Sequence, residues 1–359
     1  MSSRERTIDF SALQRVLIVK LRHHGDVLLT SPLFSLLKGR HPHLEIDALV
    51  YRETEPMLAL HPAVSQIHSI DRAWKELSAR QHLQQELELM RRLKQARYDL
   101  IVHLTESWRG AILARYLKPD YAVTRRYSSR RSKLWLNSFS HHYSSPGGNR
   151  RHTVEIHLDA LRHLGIQPGP LERGLTVVAG SDAESSLDQK LNGLSTPWIV
   201  IHPTSRWLFK CWSESRMAQV IDRLAANGHR IVITAGPDAR ELSMVERILA
   251  QVTNPVTNLA GRLSLKELVA AISQASLFIG VDSVPMHIAS ATQTPTVVLF
   301  GPSGEIEWGP WQNHARVITS DHPCRPCGQD GCGNGKISDC LTSIDSQRVI
   351  DAAEALLDG

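Results

Sequence analysis

Residues 275–279 form a short apolar run, residues 295–300 form another, and between them lies Gly280-Val281-Asp282-Ser283-Val284-Pro285-Met286-His287-Ile288-Ala289. This reads as strand, acidic turn, helix, strand. Strands joined through a helix run parallel, so the chain is directed to an α/β sheet with helices covering its faces. The turn sets a carboxylate, a hydroxyl and unpaired backbone N–H groups at a helix N-terminus. Those donors and the positive end of the helix dipole suit a phosphate. Asp282 would repel a phosphate and is better aimed at hydroxyls, as on a sugar. Phosphate and polyol at one strand end point to a nucleotide sugar.

The same alternation runs along the chain. Strands are expected at 16–21, 44–50 and 98–104, with helices at 26–38 and 77–96, the latter carrying leucines at 83, 87 and 93. After a helix at 154–164, residues 165–197 are rich in Gly, Ser and Pro and suit a linker. Alternation resumes with a strand at 198–201, a helix at 213–226 closed by Asn227-Gly228, a strand at 230–234 and a helix at 265–273; a last helix covers 345–357. The 359 residues exceed one ordinary core and suit two domains. No short internal repeat is present. The expected architecture is two doubly wound α/β halves whose ligands bind beyond the carboxyl ends of strands.

Charged residues make up 21% and hydrophobic ones 42%, as in globular proteins, and no apolar run approaches the roughly 20 residues that span a bilayer. Residues 1–15 are polar and lack the apolar core of a signal peptide, so a cytoplasmic location is expected. The net charge of +5 is uneven. Residues 125–151 hold Arg125, Arg126, Arg130, Arg131, Lys133, Arg150 and Arg151 with no acidic residue. Such a patch attracts polyanions, or is a solvated basic loop. Stacking aromatics are too few there to favour RNA. Cys324, Cys327, Cys332 and Cys340 share one Gly- and Pro-rich segment. They are either zinc ligands or free thiols in an irregular loop.

Four motifs carry candidate chemistry. In Lys20-Leu21-Arg22-His23-His24-Gly25-Asp26, Gly25 allows a tight turn, and Asp26 is either a general base for an attacking hydroxyl or a helix cap. In His202-Pro203-Thr204-Ser205-Arg206 the hydroxyls of Thr204 and Ser205 suit phosphate oxygens, and Lys210 just beyond suits a pyrophosphate leaving group. Trp212 is expected in the core. In Ala235-Gly236-Pro237-Asp238, Asp238 is a helix cap or accepts ribose hydroxyls. In the fourth motif, described first, His287 lies four residues after Ser283 and so on one helical face. No dinucleotide fingerprint, P-loop or Ser-His-Asp arrangement appears.

In order and spacing, Lys20-Leu21-Arg22-x-x-Gly25-Asp26, His202-Pro203-Thr204-Ser205, Lys210-x-Trp212, Gly236-Pro237-Asp238 and Gly280-Val281-Asp282-Ser283-x-Pro285-x-His287 resemble the lipopolysaccharide heptosyltransferases, glycosyltransferase family 9. The resemblance covers nearly the whole chain. It implies the GT-B architecture, two Rossmann-like domains facing across a cleft: an N-terminal acceptor-binding domain at 1–170, a nucleotide-sugar-binding domain at 171–345, and a C-terminal helix at 346–359 packing back on the N-terminal domain. It further implies inverting transfer without metal or cofactor. The donor would be ADP-L-glycero-D-manno-heptose and the acceptor an inner-core heptose on lipid A, reached by peripheral contact with the cytoplasmic face of the inner membrane, with no nucleic-acid partner. By the same resemblance Asp26 is the base. Thr204, Ser205, Lys210, Gly236, Asp238, Asp282, Ser283 and His287 hold the donor. Arg22, Arg125, Arg126, Arg130 and Arg131 are expected to meet the anionic acceptor. Another nucleotide-sugar transferase of this fold, or a non-catalytic binder of anions, are the alternatives.

Overall fold

The computed structural model describes residues 8–194, 196–333 and 335–358. The first seven residues of the polar N-terminal stretch lie outside the described residues. The chain divides into one unit of Met1–Gly147 with Thr153–Thr176, and a second of Gly148–His152 with Val177–Gly359.

The first unit holds six parallel strands: β1 (Arg15–Val19), β2 (Glu45–Tyr51), β3 (Gln66–Ile70), β4 (Leu100–His103), β5 (Tyr121–Arg125) and β6 (His141–Tyr143), ordered β3-β2-β1-β4-β5-β6. Val16, Leu17, Ile18 and Val19 of β1 are buried on both faces, as a central parallel strand requires. Each such side chain contributes about 1.5–3 kcal/mol.

The second unit holds β7 (Ile199–His202), β8 (Ile231–Ile233), β9 (Thr257–Asn258), β10 (Leu277–Val281), β11 (Thr296–Leu299) and β12 (Ala315–Ile318), all parallel, ordered β12-β11-β10-β7-β8-β9. Read from the other edge, this is the order of the first sheet. Each unit is therefore a doubly wound α/β domain. The strand order reverses between β1 and β4 and between β7 and β10, and ligands bind beyond strand ends at such points.

Several elements differ from the sequence reading. The helix expected over 26–38 is two helices, His24–Leu28 and Ser31–Arg40, with Pro32 in the first turn of the second. A proline fits there because its missing N–H has no helical partner. The expected linker contains a helix, Ser181–Leu191, that buries only Leu187 and Leu191. The basic segment starts at the last residue of β5 and contains a short helix, Lys133–Leu136, and β6. The helix Ala79–Gln95 begins in a reciprocal cap between Ser78 and Gln81 and buries Leu89 and Leu93. The last helix, Ser346–Leu357, sets Val349, Ile350, Ala353 and Leu356 in the core of the second unit. Its apolar stripe thus packs within that unit.

Candidate functional site

In the first unit, the turn after β1 brings Lys20 and Asp26 together. Lys20 Nζ stands 3.4 Å from Asp26 Oδ1, 3.0 Å from His157 Nε2 and 3.3 Å from the Leu104 carbonyl. Lys20 is buried, which pushes its pKa down, while the Asp26 carboxylate opposes that shift. His157 Nδ1 lies 3.0 Å from the Leu29 carbonyl. An ammonium donating to Nε2 leaves the proton on Nδ1, where it is donated to Leu29. Asp26 lies in the first turn of its helix and is not the cap; that position is His23, which makes no side-chain capping bond. The carboxylate is thus held by a buried cation, with its side chain 20% exposed. Lys20 stood in the sequence motif without a role, and His157 gave no local signal.

Arg22 is exposed, and both it and Arg125 act electrostatically on Lys20. The four clustered arginines have different surroundings. Arg125 donates to the Ser145 carbonyl. Arg130 donates to the Glu106 carbonyl and lies 5.9 Å and 5.6 Å from the Trp108 and Trp135 rings. Arg126 and Arg131 are exposed.

In the second unit, the turns after β7 and β10 converge. Lys210 closes the short turn Leu208–Lys210, and its Nζ lies 2.6 Å from Asp282 Oδ2. Asp282 is buried directly after β10, and Ser283 opens the helix Val284–Ala291 without a side-chain capping bond. At its start Pro285 has no N–H and Met286 N donates to the Ser283 carbonyl at 3.2 Å, which leaves the Val284 N–H facing out of the helix start. His287 is buried one turn further on.

Thr204 and Ser205 are buried beside them. Thr204 Oγ1 donates to Glu241 Oε2 at 2.7 Å. Glu241 is itself buried, and a Cβ at Gly236 would come within 3.0 Å of its other oxygen. Glycine at 236 therefore leaves room for a carboxylate that sequence reading missed. Its signal was a Glu three residues past the Asp238 cap, one turn into the helix Ala239–Leu249. Asp238 does cap that helix: one oxygen accepts from Arg240 N, and the Arg240 guanidinium meets both. These bonds from Arg240 hold its carboxyl below the usual range.

Lys210 also lines a cavity of about 470 Å³ with Asn149, Phe209, Ser303, Trp308 and Gln329. Trp212 is buried in the core of this unit, as expected. The Cys324 thiol lies 3.2 Å from His322 Nδ1. Among the described residues no three His, Cys, Asp or Glu side chains form a group fit for a metal ion.

Known proteins resemble this chain in sequence and in fold. A profile of Glycosyltransferase family 9 (heptosyltransferase) matches residues 86–338. The chain is 38% identical over 295 residues to a lipopolysaccharide heptosyltransferase 3 of Escherichia coli, covering 82% of this chain and 85% of the relative. It is 35% identical over 341 residues to the protein of that name from Escherichia coli K12, covering 94% and 96%. Among solved structures, the glycosyl transferase family 9 protein of Veillonella parvula superposes with a TM-score of 0.81 at 23% identity, over 96% of this chain and 97% of that one. The E. coli ADP-heptose LPS heptosyltransferase II superposes with a TM-score of 0.75 at 22% identity, over 96% and 98%.

Proposed function

The chain belongs to glycosyltransferase family 9, and we propose that it transfers L-glycero-D-manno-heptose from ADP-heptose to an inner-core heptose of lipopolysaccharide with inversion. The observation that carries this reading is the pairing of Lys210 with buried Asp282 at a strand-order reversal, beside Thr204, Ser205 and an open helix N-terminus. A cation and the free N–H at a helix start suit a diphosphate; a buried carboxylate next to them suits sugar hydroxyls. Glu241 is the better partner for the ribose, because Arg240 already engages both oxygens of Asp238.

In the proposed reaction an acceptor hydroxyl attacks the anomeric carbon from the face opposite the diphosphate. A carbon–oxygen bond forms, the bond to the β-phosphate oxygen breaks, and ADP leaves. Asp26 takes the hydroxyl proton, with Lys20 fixing one carboxylate oxygen so that the other faces the acceptor. Lys210 neutralises the charge that builds on the leaving diphosphate. His287, buried in the helix Val284–Ala291, supports the turn that carries Asp282 and Ser283.

The acceptor is lipid-anchored, so the enzyme works at a membrane surface. The proposed contact is peripheral; among the described residues no helix is long and apolar enough to cross a membrane. The test is transfer from ADP-heptose, compared with UDP- and GDP-sugars, to defined truncated core acceptors. Activity confined to another nucleotide sugar would replace the donor assignment. Salt-sensitive anion binding without transfer to any acceptor would replace the enzyme reading.

A further inference from the structure

The helix Trp108–Leu117 buries Ala111, Leu113, Ala114 and Leu117. Its outer stripe holds Trp108, Ile112 and Tyr116, spaced four apart and 40%, 58% and 43% exposed. Solvent-facing helix positions are ordinarily polar; three large apolar side chains in register are not. The helix Ala79–Gln95 lies alongside. Arg109 of one donates twice to Glu86 of the other, at 2.7 Å and 2.8 Å, and Lys94 donates to the Tyr116 and Leu117 carbonyls. That second helix leaves Leu83 and Leu87 exposed. Leu134, also exposed, joins them through Arg115, which donates to the Leu134 carbonyl and to Ser138.

The stretch of chain that builds this face is rich in positive charge. Residues 79–134 hold thirteen Lys and Arg against five Asp and Glu, a net of +8 where the whole chain carries +5, so the remaining residues are net −3. On these helices and at their ends Arg80, Arg91, Arg92, Arg115, Lys118 and Lys133 are exposed, against Glu88 and Asp120. Trp and Tyr favour the boundary between headgroups and acyl chains, leucine and isoleucine enter it, and Lys and Arg meet anionic headgroups.

We propose that this face, built from the helices Ala79–Gln95, Trp108–Leu117 and Lys133–Leu136, docks the protein on an anionic phospholipid bilayer. A second copy of the chain is a poorer occupant, because two such faces brought together would repel. The inference rests on the lipid-anchored acceptor proposed above and assigns the surface that reaches it.

The test uses the full-length chain with vesicles of phosphatidylcholine alone or mixed with phosphatidylglycerol. The chain should co-sediment with the mixed vesicles and far less with the neutral ones. Leu87→Glu with Ile112→Glu alters two exposed helix positions and should lower the bound fraction relative to free on the order of tenfold. Melting temperature and turnover on a soluble, delipidated core acceptor should stay at wild-type values. Equal sedimentation of variant and wild type, or equal binding to neutral and anionic vesicles, would overturn the proposal. So would a wild-type dimer that the variant abolishes while vesicle binding persists. Transfer to the soluble acceptor reports separately on the function: its absence in the wild type removes the heptosyltransfer reading and leaves the vesicle result to decide the docking face.

Discussion

Lys210 Nζ lies 2.6 Å from Asp282 Oδ2, so the cation suited to a diphosphate is held by the carboxylate suited to the sugar. The pair bridges the turns after β7 and β10, and Asp282 is the more deeply buried partner. In the proposed reaction, donor binding would share or exchange this contact. The pair therefore keeps two opposite charges satisfied until the substrate arrives.

Lys210→Ala should consequently act on both stability and binding. Loss of a charge-assisted contact to phosphate should cost on the order of 1.5–3 kcal/mol of ADP-heptose affinity. Leaving Asp282 unpaired should lower stability by a similar order, about 1–3 kcal/mol. Adding Asp282→Asn should restore much of the stability and none of the affinity. Calorimetric titration and urea unfolding of the three variants check this; unchanged donor affinity in Lys210→Ala would remove Lys210 from the site.

Asp26→Asn should lower turnover about 10²–10⁴-fold while sparing donor affinity, since general base catalysis contributes about that much. Asn keeps the shape of the side chain beside Lys20 and discards its charge. Wild-type turnover in this variant would leave Asp26 only the ion pair with Lys20 that it makes in the structure.

Glu241→Gln should weaken ADP binding, whereas Asp238→Asn should leave it unchanged. Asn caps a helix as well as Asp does, so the second change should also leave stability within about 0.5 kcal/mol. An affinity loss confined to Asp238→Asn would return the ribose to Asp238, as the sequence had suggested.

Much of this was legible in sequence, and the gaps have physical causes. β1, β7 and β10 are buried on both faces and read as apolar runs. β3, β6 and β9 lie toward or at the sheet edges, are short and carry polar residues, so periodicity did not reveal them. The helix Ser181–Leu191 buries two leucines, too few to stand out in a polar stretch. Asp26, Lys210 and Asp282 were visible because each follows an apolar strand directly or nearly so. The residues that brace Thr204 and Lys20 were harder. Glu241 lies one turn into a helix, and His157 reaches Lys20 across 137 positions of sequence.

Acid should destabilise the fold through three buried histidines. Burial holds His61 at about 4, His103 at about 3, where the Lys20 charge adds to the effect, and His202 at about 4. In the unfolded chain each titrates near about 6.5. Below that pH the unfolded state binds protons that the native state refuses, so stability falls as pH falls. Each group contributes about 1.4 kcal/mol per pH unit until its folded pKa is approached, and nothing above about pH 7. The urea midpoint should decline steeply below about pH 6.5, and His202→Asn should reduce that slope by about a third, one of three such groups being removed. A midpoint independent of pH across this window would contradict the assignment of these side chains as neutral.

The clustered arginines should divide by their surroundings. Arg126 and Arg131 are exposed, whereas Arg130 lies close to the Trp108 and Trp135 rings and donates to the Glu106 carbonyl. Arg126→Glu with Arg131→Glu should raise KM for a phosphorylated core acceptor and leave the donor Kd alone, because the donor residues belong to the second unit. A soluble acceptor is needed so that no membrane contributes. The effect should shrink at high salt, since exposed charges are screened beyond about 8–10 Å near physiological ionic strength. It should also shrink on a dephosphorylated acceptor. Arg130→Ala should instead lower the melting temperature, through loss of cation–π contacts worth about 0.5–2 kcal/mol. An equal rise in KM on both acceptors would show that Arg126 and Arg131 do not read the acceptor's charge, and the basic segment would then serve the fold or another partner.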